Sequence, residues 1–345
     1  MKKRMLSAAL AVVMAVSLAA CGSPKGAGGE TEKAETPSAQ SIADTAAESV
    51  VESASESGGS SEQEMFKVAF ICKSFSDTFC LSVKDEFEKA AGDYTGLFTV
   101  DYFDSENTAA TQNDQIETCT AAGYNAIVFQ QVDAEAPVEV VKAALDKGIY
   151  VIVTTGHVED DGASWYVDAD PYQQGQVVVD YAVEGGFCDN AEVAILSGPI
   201  GNFHSDNRVQ AFKDALEKKE GTKLAATEVA EWSKDKAMTV AQNWLVAFPD
   251  LKVILAANDD MGMGAVEAIE MAGKQDQITV FAIDGTEAGL EAVAEGRLGA
   301  TVKQDAKGYA IEAIKMAADL LQGKEADSMN IASTLVTKDN VADFQ

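Results

Sequence analysis

The chain has 345 residues, of which 47% are hydrophobic, and a formal net charge of −30 from 56 acidic and 26 basic side chains. A chain of this length exceeds one typical domain and predicts two. A protein this acidic would repel a phosphate backbone, which excludes nucleic acid as a partner.

The first 21 residues predict export from the cytoplasm. Basic residues at positions 2–4 precede an apolar run, Met5 to Val16, that is too short to span a bilayer comfortably. Residues 1–20 followed by Cys21 resemble a bacterial lipoprotein signal, in which Cys21 would receive lipid and anchor the protein to the cell membrane. An ordinary secretory signal with a chance cysteine is the alternative, and both interpretations predict an extracytoplasmic protein.

A disordered acidic linker is predicted next, so that residues 21–65 comprise the lipidated cysteine and a tether. Gly22 to Glu64 has nine acidic and two basic residues and almost no large apolar side chain. Such a segment buries too little surface to offset the entropy of ordering.

Short β-rich runs alternate with helical stretches from Phe66 onward. In the first half, the predicted strands are Lys67–Cys72, Leu97–Phe103, Asn125–Phe129 and Ile149–Val153, and the predicted helices are Thr78–Ala91, Ala109–Ala122 and Glu135–Asp146. In the second half, the strands are Glu192–Leu196, Leu224–Ala230, Lys252–Ala256, Ile278–Ile283 and Ala300–Lys303, and the helices are Ser205–Lys218, Asp235–Ala247, Met261–Met271 and Lys307–Leu321. Repeated βα units predict an α/β fold of two lobes, each a doubly wound parallel sheet covered on both faces.

Polar and aromatic side chains follow the predicted strands in both halves. Ligands of open parallel sheets bind beyond the carboxyl ends of the strands, so these loops are candidates for a binding site. Taken singly, each residue has a structural alternative: Asp77 could cap a helix, and Trp232 could fill a core. Eight loops with the same chemistry predict one cleft between facing lobes. The candidates are Asp77, Phe79, Gln130, Thr155, His204, Asp206, Trp232, Asn258, Asp284 and Gln304.

Several segments carry a family resemblance: Ala257–Ala265, Phe281–Thr286, Leu298–Gln304 and Leu335–Val341. With them, the chain from Phe66 to its C-terminus resembles the ribose/galactose type of periplasmic sugar-binding protein, the substrate-binding component of bacterial ABC importers. The resemblance implies two lobes joined by a three-strand hinge. It assigns residues 66–168 and 305–330 to the first lobe and residues 169–304 and 331–345 to the second.

The resemblance also implies which polar residues bind the sugar. Asn258, Asp284 and Gln304 fall where family members hydrogen-bond sugar hydroxyls. The pair His204-x-Asp206 resembles a His-x-Asp pair of the glucose/galactose branch. Carboxylate acceptors make stronger hydrogen bonds than neutral groups, which suits the capture of an uncharged polyol.

Two aromatic side chains are expected to stack on the two faces of the sugar. Asp77-x-Phe79 matches an Asp-x-Phe of the glucose/galactose branch, and Trp232 falls where that branch has its second stacking ring. Thr155 replaces an expected Asn or Asp. Arg208 lies near the position of a hydroxyl-binding arginine, although its spacing from the preceding histidine differs.

No metal and no cofactor are predicted. The calcium loop of the glucose/galactose branch is missing, and the sequence has no metal-ligand cluster, Ser-His-Asp order or phosphate-binding glycine loop. The cysteines other than Cys21 fit no zinc or redox spacing and are expected to be buried apolar residues, although export permits disulfides. They are Cys72, Cys80, Cys119 and Cys188.

The sequence therefore predicts a monomeric, lipid-anchored solute-binding protein and not an enzyme. It would capture a neutral monosaccharide, a glucose/galactose-like hexose, and deliver it to an ABC permease with its ATPase subunit. An excess of aspartates over Arg208 in the cleft would reject sugar phosphates and acids and accept a neutral or cationic ligand. The alternatives are presentation of a ligand to a chemoreceptor or sensor, binding of another polyol, pentose or amino sugar, and an extracellular carbohydrate-active enzyme.

Overall fold

Two six-stranded sheets form the frame of residues 65–345, which are the residues that the computed structural model describes. The predicted signal sequence, the lipidation site Cys21 and the acidic linker up to residue 64 lie outside the described residues. None of the helices in the described part is long and apolar enough to cross a membrane.

Strands and helices alternate along most of the described chain. The first part contains β1 (Phe66–Cys72), α1 (Thr78–Ala91), β2 (Phe98–Asp104), α2 (Ala109–Ala121), β3 (Ala126–Gln130), α3 (Val138–Asp146), β4 (Tyr150–Thr154) and β5 (Trp165–Asp168). The second part contains α4 (Pro171–Glu184), β6 (Glu192–Ser197), α5 (Phe203–Glu217), β7 (Lys223–Val229), α6 (Lys234–Ala247), β8 (Leu251–Ala256), α7 (Asp259–Met271), β9 (Thr279–Asp284), α8 (Glu287–Glu295) and β10 (Ala300–Lys303). The chain continues with α9 (Ala306–Leu321), β11 (Met329–Asn330) and β12 (Thr334–Thr337). The exceptions to the alternation are that β5 directly follows β4 and β12 directly follows β11.

Each sheet belongs to one lobe. The first sheet has the strand order β11-β5-β4-β3-β1-β2 and is wholly parallel. The second has the order β12-β10-β9-β8-β6-β7 and is parallel except for β12, which pairs antiparallel with β10. These sheets confirm the predicted α/β fold of two parallel-sheet lobes.

The strands are apolar because helices cover both faces of each sheet. In β1, Val68 and Phe70 face one apolar cluster and Ala69 and Ile71 face another, on opposite sides of the sheet. The second sheet is likewise buried between two clusters. Each lobe therefore has its own core, and polar side chains concentrate in the loops at the strand ends.

The chain passes between the two sheets three times. It does so between β5 and α4, between β10 and α9, and between β11 and β12. Helix α9 packs on α1 and β4 of the first lobe, and α4 packs on α5 and β9 of the second. Two of the linking segments, those after β5 and after β11, lie side by side, because β11 pairs with β5 and Ile331 N donates to the Asp168 carbonyl.

Five of the described strands and helices, β5, α4, α8, β11 and β12, were not predicted, and the others begin within three residues of their predicted starts. Strand β5 has four residues, and α8 is built largely of small residues, so neither has a strong apolar period. Helix α4 follows Asp170, whose side chain accepts from Gln173 N, and has a proline at its first position. Helix α3 begins at Val138, after the proline, and not at Glu135 as predicted.

The four described cysteines are buried free thiols. Burial raises the pKa of Cys119 and of Cys188 to about 11, so neither is a reactive thiolate at neutral pH.

Candidate ligand-binding site between the lobes

A cavity of about 310 Å³, a volume that includes space open to solvent, lies between the lobes. Its walls are loops and helix starts that follow the carboxyl ends of the parallel strands, as expected for open α/β sheets. The first lobe contributes Lys73, Asp77, Phe79, Cys80 and Thr155, and the second contributes Asn202, His204, Arg208, Trp232, Asn258, Asp284 and Gln304.

Nine of the eleven candidate residues line this cavity, and their contact with a ligand stays a prediction. These nine are Asp77, Phe79, Thr155, His204, Arg208, Trp232, Asn258, Asp284 and Gln304. The other two candidates, Gln130 and Asp206, do not line it. Three lining residues, Lys73, Cys80 and Asn202, were not among the candidates.

Gln130 has a structural role beneath the cavity floor. Its side chain is fully buried, accepts from the Lys73 backbone N–H at 3.2 Å and donates to the Cys80 carbonyl at 3.1 Å. Both amide ends are therefore engaged in holding the loop between β1 and α1.

The His-x-Asp pair was assigned with the wrong partner. Helix α5 starts after Asn202, which accepts from Ser205 N, so Asn202, His204 and Arg208 point into the cavity. Asp206 lies two residues beyond His204, on the other side of the helix, and accepts from Gly201 N at 3.0 Å. The cavity-lining pair is therefore Asn202 and His204.

Lys73 and Asp77 form a buried ion pair at 2.7 Å. Burial alone would lower the pKa of Lys73, but the carboxylate of Asp77 raises it above its usual range. Conversely, burial would raise the pKa of Asp77, and the ammonium holds it below its usual range. Both groups are therefore charged, although desolvation opposes each charge.

Trp232 forms a rigid aromatic wall of the cavity. One side of the indole packs on Gly198, so closely that a Cβ at Gly198 would lie under 3.0 Å from three ring atoms. Lys73 Nζ lies 5.0 Å and Arg208 Cζ 6.0 Å from the ring centroid. The indole N–H is buried without a protein acceptor, so a ligand oxygen could accept a hydrogen bond from it.

Phe79, the second aromatic ring predicted for the site, is buried and packs edge-on against Tyr309.

Arg208 is held by four groups of the second lobe. Its Nε and Nη2 donate to Gln174 Oε1 at 3.1 and 2.7 Å, and its Nη1 donates to the Ala257 carbonyl at 2.8 Å. Nη2 also lies 3.0 Å from His204 Nδ1, and Nη1 lies 3.6 Å from Asp284 Oδ1. Arg208 is 2% exposed, so its orientation is set by these contacts.

His204 links Arg208 to the end of the first sheet. Because arginine only donates, His204 Nδ1 accepts, and Nε2 donates to the Asp168 carboxylate at 2.8 Å. Burial is the main cause that lowers the pKa of His204, and Arg208 lowers it further. The ring is therefore neutral, and both nitrogens are engaged within the protein.

Asp284 is the second carboxylate of the cavity. Its Oδ1 accepts from Gln304 Nε2 at 2.7 Å, and its backbone has a φ of 141°, a conformation that non-glycine residues rarely adopt. Burial raises the pKa of Asp284 well above its usual range, and Arg208 opposes that rise.

Asn258 also lines the cavity, and its side chain caps α7 by accepting from Met261 N. Asn258 therefore serves both the fold and the site.

The lobes touch on both sides of the cavity. Thr78 Oγ1 donates to Asp260 Oδ2 at 2.9 Å on one side. On the other, Asn202 Nδ2 donates to the Val132 carbonyl at 3.1 Å, and Ala134 N donates to the Gly201 carbonyl at 3.1 Å. The structure therefore shows the lobes closed over the cavity.

The cavity lining contains two basic side chains and two aspartates. Lys73 and Arg208 face Asp77 and Asp284, and Asp206 does not contribute a further negative charge here. The expectation of a cationic ligand rested on Arg208 as the one basic group in the cleft. Lys73 removes that reason, whereas the case for an uncharged ligand remains.

Comparisons with known proteins agree with this architecture. A family model for the periplasmic binding protein domain matches residues 68–325. The D-ribose/D-allose-binding protein of Pseudomonas aeruginosa is 30% identical over 267 residues, which cover 75% of this chain and 83% of that protein. The ribose import binding protein of Salmonella typhimurium is 29% identical over 262 residues, which cover 76% and 86%. An ABC transporter solute binding protein from Bacillus halodurans with bound myo-inositol has a TM-score of 0.78 at 26% identity, covering 81% of this chain and 97% of that one.

Proposed function

The chain belongs to the periplasmic binding protein family, and on that basis we propose that it captures an uncharged, polyhydroxylated ring for an ABC importer. The ligand would be a monosaccharide or a cyclitol. The observation that carries the proposal is the cavity, in which the indole of Trp232 lies beside two acid–base contacts, Lys73 with Asp77 and Arg208 with Asp284.

The chemistry of such a ring matches the cavity walls. Its hydroxyls can donate to the free lone pairs of the two carboxylates and accept from Lys73, Arg208 and the unpartnered indole N–H. Its C–H face can pack on the Trp232 ring. A phosphate or carboxylate on the ligand would need a counter-ion of its own, whereas Lys73 is already paired with Asp77 and Arg208 is already hydrogen-bonded within the second lobe. The relatives support this class, since their names specify ribose or allose and the similar structure holds myo-inositol.

The glucose/galactose preference is not carried forward. It depended partly on His204-x-Asp206, and Asp206 faces away from the cavity. A hexose, a pentose and a cyclitol therefore all belong in the first ligand panel.

Ligand capture would proceed by closure of the lobes about the three linking segments. A ligand that contacts both lobes stabilises the closed arrangement, and closure is then a shift of population. We propose that the permease recognises this closed arrangement and receives the ligand from it.

Lipid attachment at Cys21 is proposed as the means by which the protein stays at the cell membrane. Incorporation of labelled fatty acid into the wild type and its loss in Cys21→Ala would support it. Equal labelling of both proteins would contradict it.

Thermal unfolding of the purified protein tests the proposed ligand class. At a concentration of 100 times Kd, a ligand should add about 2.7 kcal/mol to the free energy of unfolding. The panel should contain hexoses, pentoses, cyclitols, amino sugars, sugar acids and sugar phosphates. We expect an uncharged ring to raise the Tm and to be recovered unchanged after incubation. A response only to charged ligands, or conversion of the ligand to product, would contradict the proposal.

A further inference from the structure

We propose that Gln174 is a positioning residue, which fixes the guanidinium of Arg208 and ties it to the segments that link the lobes. This inference rests on the proposed function, because it assigns the residue a part in ligand capture. Gln174 is not in the cavity lining and would act through the lining residues that it holds, above all Arg208 and also Gln304.

One end of the Gln174 amide holds Arg208. Oε1 accepts two hydrogen bonds from the same guanidinium, from Nε at 3.1 Å and from Nη2 at 2.7 Å. Two bonds to one edge fix the plane of the group as well as its place. The opposite edge, with Nη1, is directed toward Ala257 and Asp284 and is the edge that meets the cavity.

The other end of the amide is bonded to two linking segments. Nε2 donates to Gln304 Oε1 at 3.0 Å and to Ser333 Oγ at 2.8 Å. Gln304 directly follows β10, and Ser333 directly precedes β12. Gln174 itself lies in the first turn of α4, just after the remaining link. One buried side chain therefore contacts or adjoins all three segments.

Close packing of α4 on α5 makes this arrangement possible. The residue after Gln174 is Gly175, and a Cβ there would lie 2.8 Å from the Arg208 carbonyl oxygen. The absence of a side chain lets the two helices approach until the short amide reaches the guanidinium. Gln174 is 1% exposed, so water does not compete for its hydrogen bonds.

The consequence is a coupling between lobe closure and the geometry of the site. A movement of the linking segments breaks or redirects the bonds from Nε2, and the amide then turns away from Arg208. The guanidinium is thus presented to the ligand in the arrangement seen here, with the lobes closed. The coupling makes ligand affinity depend on a residue that does not touch the ligand.

Arg208 can be observed directly, without any ligand, by NMR of arginine Nε–H groups. Arg208 and Arg297 are the two arginines of residues 65–345, and Arg297 is only part-buried, so a slowly exchanging signal is expected from Arg208. Gln174→Met should shift that signal and speed its exchange, whereas Gln173→Met, an exposed neighbour on the same helix, should leave it unchanged. An unaltered signal in Gln174→Met would overturn the inference even if no ligand were found.

A double-mutant cycle tests the effect on binding, with an uncharged ring identified by the thermal screen. When Arg208 is present, Gln174→Met should raise Kd at least about tenfold, since several buried hydrogen bonds are lost. When Arg208 has already been replaced by Met, the same substitution should raise Kd less than about twofold. Equal effects in both backgrounds would show a general structural role and overturn the inference.

Ser333→Ala is a milder change that removes one hydrogen bond of Gln174. It should raise Kd by about twofold or more when Gln174 is present and have no effect when Gln174 has been replaced by Met. Absence of binding by the wild type would instead count against the proposed function.

Discussion

The ammonium of Lys73 lies 2.7 Å from the carboxylate of Asp77, and both side chains are 9% exposed. The pair sits in the loop before α1, where Asp77 also caps the helix by accepting from Cys80 N at 2.8 Å. Lys73 is thus the counter-ion of a carboxylate that the fold requires. It is also the cation nearest to the Trp232 ring, at 5.0 Å from its centroid.

Replacement of Lys73 by Met should destabilise the protein by about 3–5 kcal/mol at pH 7, because it leaves the Asp77 carboxylate buried without a counter-ion. In the wild type, Lys73 holds the pKa of Asp77 below its usual 3.8, so the pair stabilises the fold above that pH and the effect is lost as pH falls through the lower pKa. In the variant, burial raises the pKa of Asp77, so the deficit should shrink as the pH falls. Urea unfolding from pH 4 to 7 measures this trend.

The double variant Lys73→Met/Asp77→Asn is the control for that experiment. It removes both charges and should recover most of the lost stability at pH 7. A Lys73→Met protein as stable as the wild type would show that the pair contributes nothing.

Loss of the Trp232 side chain should weaken ligand binding by about 1–3 kcal/mol, by analogy with aromatic stacking on flat rings. Trp232→Ala removes both the stacking surface and the unpartnered indole N–H. Calorimetric titration would measure the change, with Trp165→Phe as control, because Trp165 bonds to the Ala326 carbonyl outside the cavity. An unchanged Kd would remove Trp232 from the site.

A methyl group at Gly198 should displace the Trp232 ring without touching the ligand. The added Cβ would lie under 3.0 Å from three ring atoms, so the indole has to move toward the cavity. Gly198→Ala should therefore raise Kd and alter the tryptophan fluorescence spectrum. Gly96→Ala, where the Cβ would meet nothing within 4 Å, is the matched control. Normal binding by Gly198→Ala would show that the ring position is not critical.

The order of elements was predictable because both sheets are buried on two faces. Strands such as β3 then consist almost wholly of apolar residues, and the alternation with helices is visible along the chain. Two of the elements that were missed are short: β5 has four residues, and α8 has nine, most of them small or charged. Their positions depend on tertiary packing, which local patterns do not contain.

The candidate site was predictable where a residue serves both fold and cavity. Asp77 and Asn258 cap helices at strand ends, and the rule for parallel sheets then places them at the cleft. Lys73 was missed because lysine is usually exposed, and the carboxylate that permits its burial is evident only in three dimensions. Asp206 was misplaced because the helix was predicted to begin at Ser205, after His204. Helix α5 begins at Phe203, so His204 and Asp206 are both helical, and two residues of a helix that are two positions apart lie on opposite sides.

The contact between Thr78 and Asp260 should govern how readily the lobes close. Asp260 lies on the second lobe and accepts from the Thr78 hydroxyl of the first, and burial, with repulsion from Asp77, raises the pKa of Asp260. The raised pKa means that the closed arrangement is favoured as pH falls, and that this advantage is lost as pH rises through the pKa of Asp260. At neutral pH the charge on Asp260 therefore opposes closure.

Asp260→Asn should relieve that opposition while keeping a hydrogen bond to Thr78. We expect a smaller radius of gyration for the ligand-free protein at pH 7 and a Kd several-fold below that of the wild type, since a larger closed population binds more tightly. Thr78→Val should do the reverse, because it leaves the half-buried carboxylate of Asp260 without its donor. Small-angle X-ray scattering and calorimetric titration measure the two quantities. If both variants changed Kd in the same direction, the contact would not be what sets the balance between open and closed lobes.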